Sequence, residues 1–379
     1  MMRAFLTVWP FDLLDADFSH RLDRWHGDIG LTGLAVWMAG GPSIALRLDG
    51  AEPRLFRSRG GLFFPPDKDR YGDSRLKPLV SDWSRSRNDL ARIAEECARR
   101  GMELRCVAAA SSIGRMAQRH PATAVKSAFG DDSAVSLCLL NPDVEAFLLA
   151  LVDDLSAREH VNGLVISDFE NAWREAFDPR LAAAPPLSGV QRQLLSLCFC
   201  ESCRQRASRE NRDGDMAARS VRQWIDRLSH LADEQPPSVQ EIIDADSPLS
   251  LWIQWQRKEL SSLAGRVMEQ CRRELVFMPD PAADPVTVTL GTDPPAPVRV
   301  MKLLHDEESL LGSHSPKELL VSLRESTPDR HQRMISLVTR AAERGASVVT
   351  FEGAVIPTEP ALVAIRQALR YARRTVGVP

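Results

Sequence analysis

One short grammar recurs along this chain and limits its fold more than any other feature: an amphipathic helix, a glycine, then a short apolar strand. It is written from Asp89 to Arg100, then Gly101 and a strand from Glu103 to Ala109. It returns at Val144 to Ser156, Gly163 and Leu164 to Ser167, and again at Asp329 to Arg344, Gly345 and Ala346 to Glu352. Glycine just past a helix supplies the left-handed residue that stops it. Helix, short loop and buried strand in repetition are what a parallel α/β layout requires. Further apolar runs at Ala4 to Trp9, Gly33 to Trp37, Val286 to Gly291 and Glu318 to Leu323 bring the predicted strands to seven. The eighth strand of a closed barrel has no evident position.

A chain of 379 residues buries a substantial core and accommodates one barrel with insertions, or two domains. We read residues 1–379 as a single barrel domain with two departures from the regular grammar. The first is a long Gly/Pro-punctuated stretch from Gly40 to about Asp82 on the second strand-to-helix connection, where Ile44 to Leu48 permits a small hairpin. Loops of this length are more often functional than idle, as a substrate lid or an oligomer contact. The second is a charged helical insertion over residues 204–273, interrupted at Pro236-Pro237, in which Trp252 and Trp255 are expected to pack. Residues Met301 to Leu311 are predicted as helix.

Charge and composition remove several function classes. Lys+Arg 48 against Asp+Glu 51 gives a net charge of −3, and the arginines are dispersed, so no nucleic-acid partner is expected. No stretch approaches the length of a membrane span. The first residues lack the apolar core and cleavage site of a secretory leader. Seven cysteines, an odd number, argue against a complete disulfide framework, and together these features predict a soluble cytoplasmic protein. The histidines are scattered. There is no nucleophile elbow, phosphate-cradling glycine loop or dinucleotide fingerprint.

The cysteines carry the most specific signal. Cys198-Phe-Cys200-Glu-Ser-Cys203 spaces three thiols too tightly for comfortable disulfide pairing, whereas a tetrahedral metal accepts such a cluster plus one distant thiolate. Cys138, just before the helix that leads into the acidic strand, is the natural fourth ligand. A four-thiolate shell leaves no open position, so such a zinc would be structural. The alternative is a set of ordinary buried thiols. Between these cysteines, Gly163-Leu-Val-Ile-Ser167 ends abruptly in Asp168-Phe-Glu170-Asn171-Ala-Trp173, the way a parallel barrel presents reactive groups at its carboxyl face.

Cys138-Leu-Leu-Asn141-Pro142, the acidic strand end and the Cys198–Cys203 cluster together resemble the zinc-containing β-galactosidases of glycoside hydrolase family 42 and related hypothetical TIM-barrel glycosyl hydrolases. The resemblance covers residues 100–210 best. It implies a (β/α)₈ TIM barrel, a structural zinc on Cys138, Cys198, Cys200 and Cys203, a carbohydrate substrate and a retaining two-carboxylate mechanism. One departure stands out: the family has an Asn-Glu pair at the end of strand four, and this chain reads Ser167-Asp168-Phe169-Glu170.

Glycoside cleavage needs one carboxyl to protonate the leaving oxygen and another as nucleophile or base. The strand-end candidates are Asp168 or Glu170 as acid/base, and Glu352 or Glu325 as the second carboxylate. Structural ion pairs or helix caps are the competing explanation for each. Trp9 and Asp12 at the exit of strand one, Trp37 after strand two, Tyr71 and Trp173 are candidates to contact a sugar, although Trp9 and Trp37 would serve equally to cap the barrel core. The rival functions are a carbohydrate-binding barrel without turnover, and a lyase or isomerase on the same scaffold.

Overall fold

The computed structural model describes residues 2–14, 17–47, 54–178, 181, 186–230, 236–278, 301–304, 318–323, 329–353 and 357–375. Eight parallel strands make a curled sheet: β1 (Arg3–Val8), β2 (Gly33–Gly40), β3 (Glu103–Ala109), β4 (Gly163–Ser167), β5 (Glu274–Met278), β6 (Lys302–Leu304), β7 (Glu318–Ser322) and β8 (Val348–Glu352). They pair in chain order from β1 to β5, while β8, β7 and β6 continue from the other side of β1. Across the remaining seam, Met301 N donates to Phe277 O at 2.9 Å, tying the entry to β6 onto β5. The architecture is therefore the expected (β/α)₈ barrel, with the long second loop and the helical excursion after β4.

Two strands differ from the sequence expectation. Glu274–Met278 supplies the strand that had no position; only three residues separate it from the 24-residue helix Ser247–Gln270, so its five-residue pattern is masked by the helix before it. Lys302–Leu304 is a strand where a helix from Met301 was expected. An apolar run this short reads equally well either way, and pairing with β7 decides it. The predicted strand at Val286 to Gly291 lies outside the described residues.

Register sets what faces inward. Phe5 on β1, Arg105 on β3, Glu274 on β5 and Glu318 on β7 meet inside the barrel: Arg105 donates to Glu318 and to Glu274 (2.9 Å), and its guanidinium stands 4.1 Å from the Phe5 ring centroid. Four side chains from alternate strands form one layer, as barrel interiors do. Here the layer is ionic rather than aliphatic, and Arg3 completes it through Glu274 (3.0 Å) and Glu103 (3.1 Å). Continuing the same pleat toward the carboxyl ends brings Thr7, Trp37, Ser167, Ser322 and Glu352 to the mouth.

The second loop does form a hairpin, Ser43–Arg47 against Arg54–Ser58, and then adds Gly61–Leu62 antiparallel to the end of β2. Its later part is strapped to the helix Pro142–Ser156, where buried Asp154 accepts from Asp67 N (2.9 Å) and Tyr71 Oη (3.3 Å). After β4 the chain runs through helices Glu201–Ser208, Gly214–His230 and Ser247–Gln270. Trp252 stacks on Phe199 at 5.3 Å and lies 5.0 Å from Trp255, so both tryptophans pack as expected. Among the described residues no helix is long and apolar enough to cross a membrane.

Candidate functional site

The four cysteines converge. Cys138 precedes the helix Pro142–Ser156, Cys198 and Cys200 lie in an extended turn, and Cys203 is in the first turn of Glu201–Ser208; all are buried and unbridged. Their sulfurs all lie within 4.8 Å of one another, with Cys138 to Cys203 at 3.5 Å and Cys203 to Cys198 at 3.8 Å. A tetrahedron of metal–sulfur bonds of about 2.3 Å requires sulfurs about 3.8 Å apart, so the cage has the right size for a thiolate-bound cation. The donor chemistry fits as well. Four buried thiols without a cation work against each other: burial pushes Cys138 well up, hydrogen bonding with Cys138 and its neighbours raises Cys203, and bonds from Cys138, Cys198 and Cys203 hold Cys200 well down. A divalent cation lets all four be thiolates at once. Asn171 Nδ2 donates to Cys203 Sγ at 3.4 Å, and Gln256 Nε2 donates to Cys198 O at 2.8 Å, giving the cluster a polar second layer.

Beside the cage, β4 ends in Ser167 and then Asp168, whose φ of +54° is uncommon for a residue with a side chain. The turn brings its carboxylate against hydroxyls on the neighbouring strand end. Ser112 Oγ donates to Oδ2, Ser167 Oγ donates to Oδ1 (2.9 Å) and Ser111 Oγ donates to the Asp168 carbonyl (2.9 Å). Arg174 then bridges the two acidic residues, 3.3 Å from Asp168 Oδ1 and donating through Nε to Glu170 Oε1 at 2.7 Å. Glu352, 2% exposed, is the last residue of β8, level with Thr7 on one side and Ser322 on the other. Among the described residues, the hydroxyls of Thr7 and Thr350, on the same inner wall, are buried with no hydrogen-bond partner. Glu325 lies outside the described residues.

The aromatic candidates separate. Trp37 and Trp9 both reach the mouth, but Trp9 is stacked by Trp37 (5.0 Å, 10°) and by Phe11 (5.5 Å, 13°), with Phe63 edge-on, so much of its ring surface is already engaged by protein. Asp12 is fully buried and accepts from Trp9 N at 3.3 Å, capping the turn Pro10–Leu13. Tyr71 is not brought to the mouth: it is buried against Phe147 and bonded to Asp154, on the outer side of the barrel, and burial raises its phenol far above the usual range. Trp173 is half-buried in the turn after β4, its backbone N–H donating to Ser196 O at 2.8 Å. Sequence reasoning missed Ser111, Ser112, Asn171 and Arg174. The only signal for the serines was a polar pair directly after the apolar run of β3.

No family model matches the chain, and no curated protein matches it. Solved structures do. The chain is similar to the PgaB glycoside hydrolase domain from Bordetella bronchiseptica, with a TM-score of 0.56 and 14% identity over 97% of this chain and 99% of that one. It is similar to the catalytic domain of β-amylase from Paenibacillus polymyxa, with a TM-score of 0.55 and 10% identity over 97% of each chain. A β-galactosidase from the Antarctic haloarchaeon Halorubrum lacusprofundi gives a TM-score of 0.51 and 12% identity over 98% of this chain, which spans 58% of that enzyme. At such identities the likeness is one of fold.

Proposed function

We propose that this chain is a glycoside hydrolase acting on a small glycoside or oligosaccharide, with Asp168 or Glu170 as acid/base, Glu352 as the second carboxylate, and a structural zinc on Cys138, Cys198, Cys200 and Cys203. The observation that carries the reading is the arrangement of carboxylates at the ends of β4 and β8, on opposite sides of one barrel mouth. The names of the three similar structures support it, as do the buried Thr7 and Thr350 hydroxyls beside Glu352, which suit a polyhydroxylated ligand. Seven unbridged cysteines accord with a reducing cytoplasm. Glu325 stays an alternative for the second carboxylate.

The spacing bears on stereochemistry. Eight strands spaced about 4.8 Å apart and tilted by about 36° make a barrel ~15 Å across. Across such a mouth, carboxyl groups about 5–5.5 Å apart would favour retention, and about 6.5–9.5 Å would favour inversion with a water between them. An acid on one wall would protonate the leaving oxygen, and the carboxylate opposite would take a proton from that water.

The test is a panel of aryl glycosides and oligosaccharides with the parent, Asp168→Asn, Glu170→Gln and Glu352→Gln, followed by NMR of the first anomer released. Loss of about 10²–10⁴ in kcat for Glu352→Gln and for one β4 variant is expected. If both β4 variants hydrolyse like the parent, the assignment is wrong. Binding without turnover across the panel would move the reading to a carbohydrate-binding barrel.

A further inference from the structure

We propose that Asn171 is a positioning residue that carries the geometry of the four-cysteine cage to the acidic mouth, so that a cation held by the cage keeps Asp168, Glu170 and Arg174 in place. Its consequence for turnover rests on the function proposed above, whereas the coupling itself rests on contacts alone.

Asn171 is fully buried and sits between the two sites in sequence and in space. Its Nδ2 donates to Cys203 Sγ at 3.4 Å, and its Oδ1 accepts from Leu139 N at 3.2 Å, one residue beyond Cys138. One amide therefore touches both cysteine-bearing segments. Glu170 is its preceding neighbour. Downstream, Ala172 forms an antiparallel bridge to Leu197, next to Cys198, and Trp173 N donates to Ser196 O at 2.8 Å. Arg174 follows immediately and holds Glu170 and Asp168. The acidic turn is thus laced to the cage through the three residues before its arginine.

The physics makes the link conditional on metal. A thiolate accepts a hydrogen bond more strongly than a thiol does, so the Asn171–Cys203 bond strengthens when Cys203 is bound to a cation. Gln256 supplies a built-in comparison. From the long helix of the excursion, its Nε2 stands 4.0 Å from the same sulfur and donates to Cys198 O. Removing it frees the Cys198 carbonyl and leaves both bonds of the Asn171 amide in place.

The experiment uses the full chain loaded with Co²⁺, comparing the parent with Asn171→Leu and Gln256→Leu. Metal stoichiometry, the thiolate-to-cobalt charge-transfer band and amide exchange by mass spectrometry are followed together. Asn171→Leu is expected to keep about one cobalt per chain. Its charge-transfer band moves to longer wavelength, because an undonated thiolate gives up an electron more readily. Exchange over residues 168–174 rises about tenfold or more while β3 stays protected. Gln256→Leu leaves 168–174 at the parent rate. Parent-like exchange in a cobalt-loaded Asn171→Leu, or equal loosening by Gln256→Leu, overturns the proposal. Should Asn171→Leu be insoluble, cobalt-free and cobalt-loaded parent are compared: faster exchange of 168–174 without metal supports the coupling, and equal exchange overturns it. None of these readouts needs a substrate, so a failed glycoside panel would sink the functional reading and leave this one standing.

Discussion

Arg105 is a cation enclosed inside the barrel, 1% exposed, between Glu318 and Glu274. Removing a buried charge's partner costs far more than the pair contributes, because the remaining charge stays desolvated. Arg105→Met is therefore expected to lower stability by about 3–5 kcal/mol, with Arg105→Met/Glu318→Leu recovering most of it, as read from urea unfolding. A double variant as unstable as the single would show that the charges are not coupled. The same layer sets an acid-side dependence. The hydrogen bond from Arg3, first of all, holds the Glu274 carboxyl down to about 2, against about 4.3 in an unfolded chain. Its contribution is thus complete above the unfolded value and fades as pH falls from about 4.3 toward 2. Burial moves Glu318 the opposite way, so its stabilising protonation is complete by about pH 4.3 and leaves the slope below that to Glu274. Glu274→Gln should flatten the fall of the thermal midpoint across that window; an unchanged slope would contradict the assignment. At the mouth, Ser112→Ala removes the donor to Asp168 Oδ2. If Asp168 takes part in hydrolysis, kcat should fall about tenfold with KM little changed.

Among the elements, the second loop depends on one turn. Gly60 and Gly61 have φ of +73° and +111°, and a Cβ added to them would stand 2.5 Å from Gly40 O and 2.4 Å from Leu79 O. Both obstacles are backbone, so they cannot swing aside. Gly61→Ala should cost on the order of 2 kcal/mol or more and free the strand Gly61–Leu62 from the end of β2. Amide exchange confined to that loop would report it, and parent-like protection would refute it. The hairpin was legible because Ile44 to Leu48 reads as a strand. The positions of β5 and β6 were not, since runs of five and three residues carry no period of their own, and only neighbouring strands choose their conformation.

For the whole molecule, the cage joins the loop before the helix Pro142–Ser156 to the segment after β4, so a metal held there would couple its own binding to the stability of the fold. Freshly purified protein should contain about one zinc per chain, and Cys200→Ser should lose it together with at least about 5 °C of thermal stability. A metal-free parent with an unaffected variant would return the four cysteines to ordinary packing.

Local pattern was enough for the parallel α/β plan, through its repeated helix–glycine–strand units, and for the cysteine set, through a spacing that few other arrangements explain. It also put acids at the end of β4. Tertiary structure alone decided which side chains share a wall. Arg105 meets Glu274 and Glu318 across 169 and 213 positions of chain, and Thr7 stands level with Glu352, because strand register aligns them. The same cause moved Tyr71 away from the mouth: its partner Asp154 lies 83 residues on, on a helix face that no local pattern connects to the loop. Local sequence fixes conformation through short-range sterics and periodicity. Contacts between remote segments depend on register and closure, and those exist only once the barrel has formed.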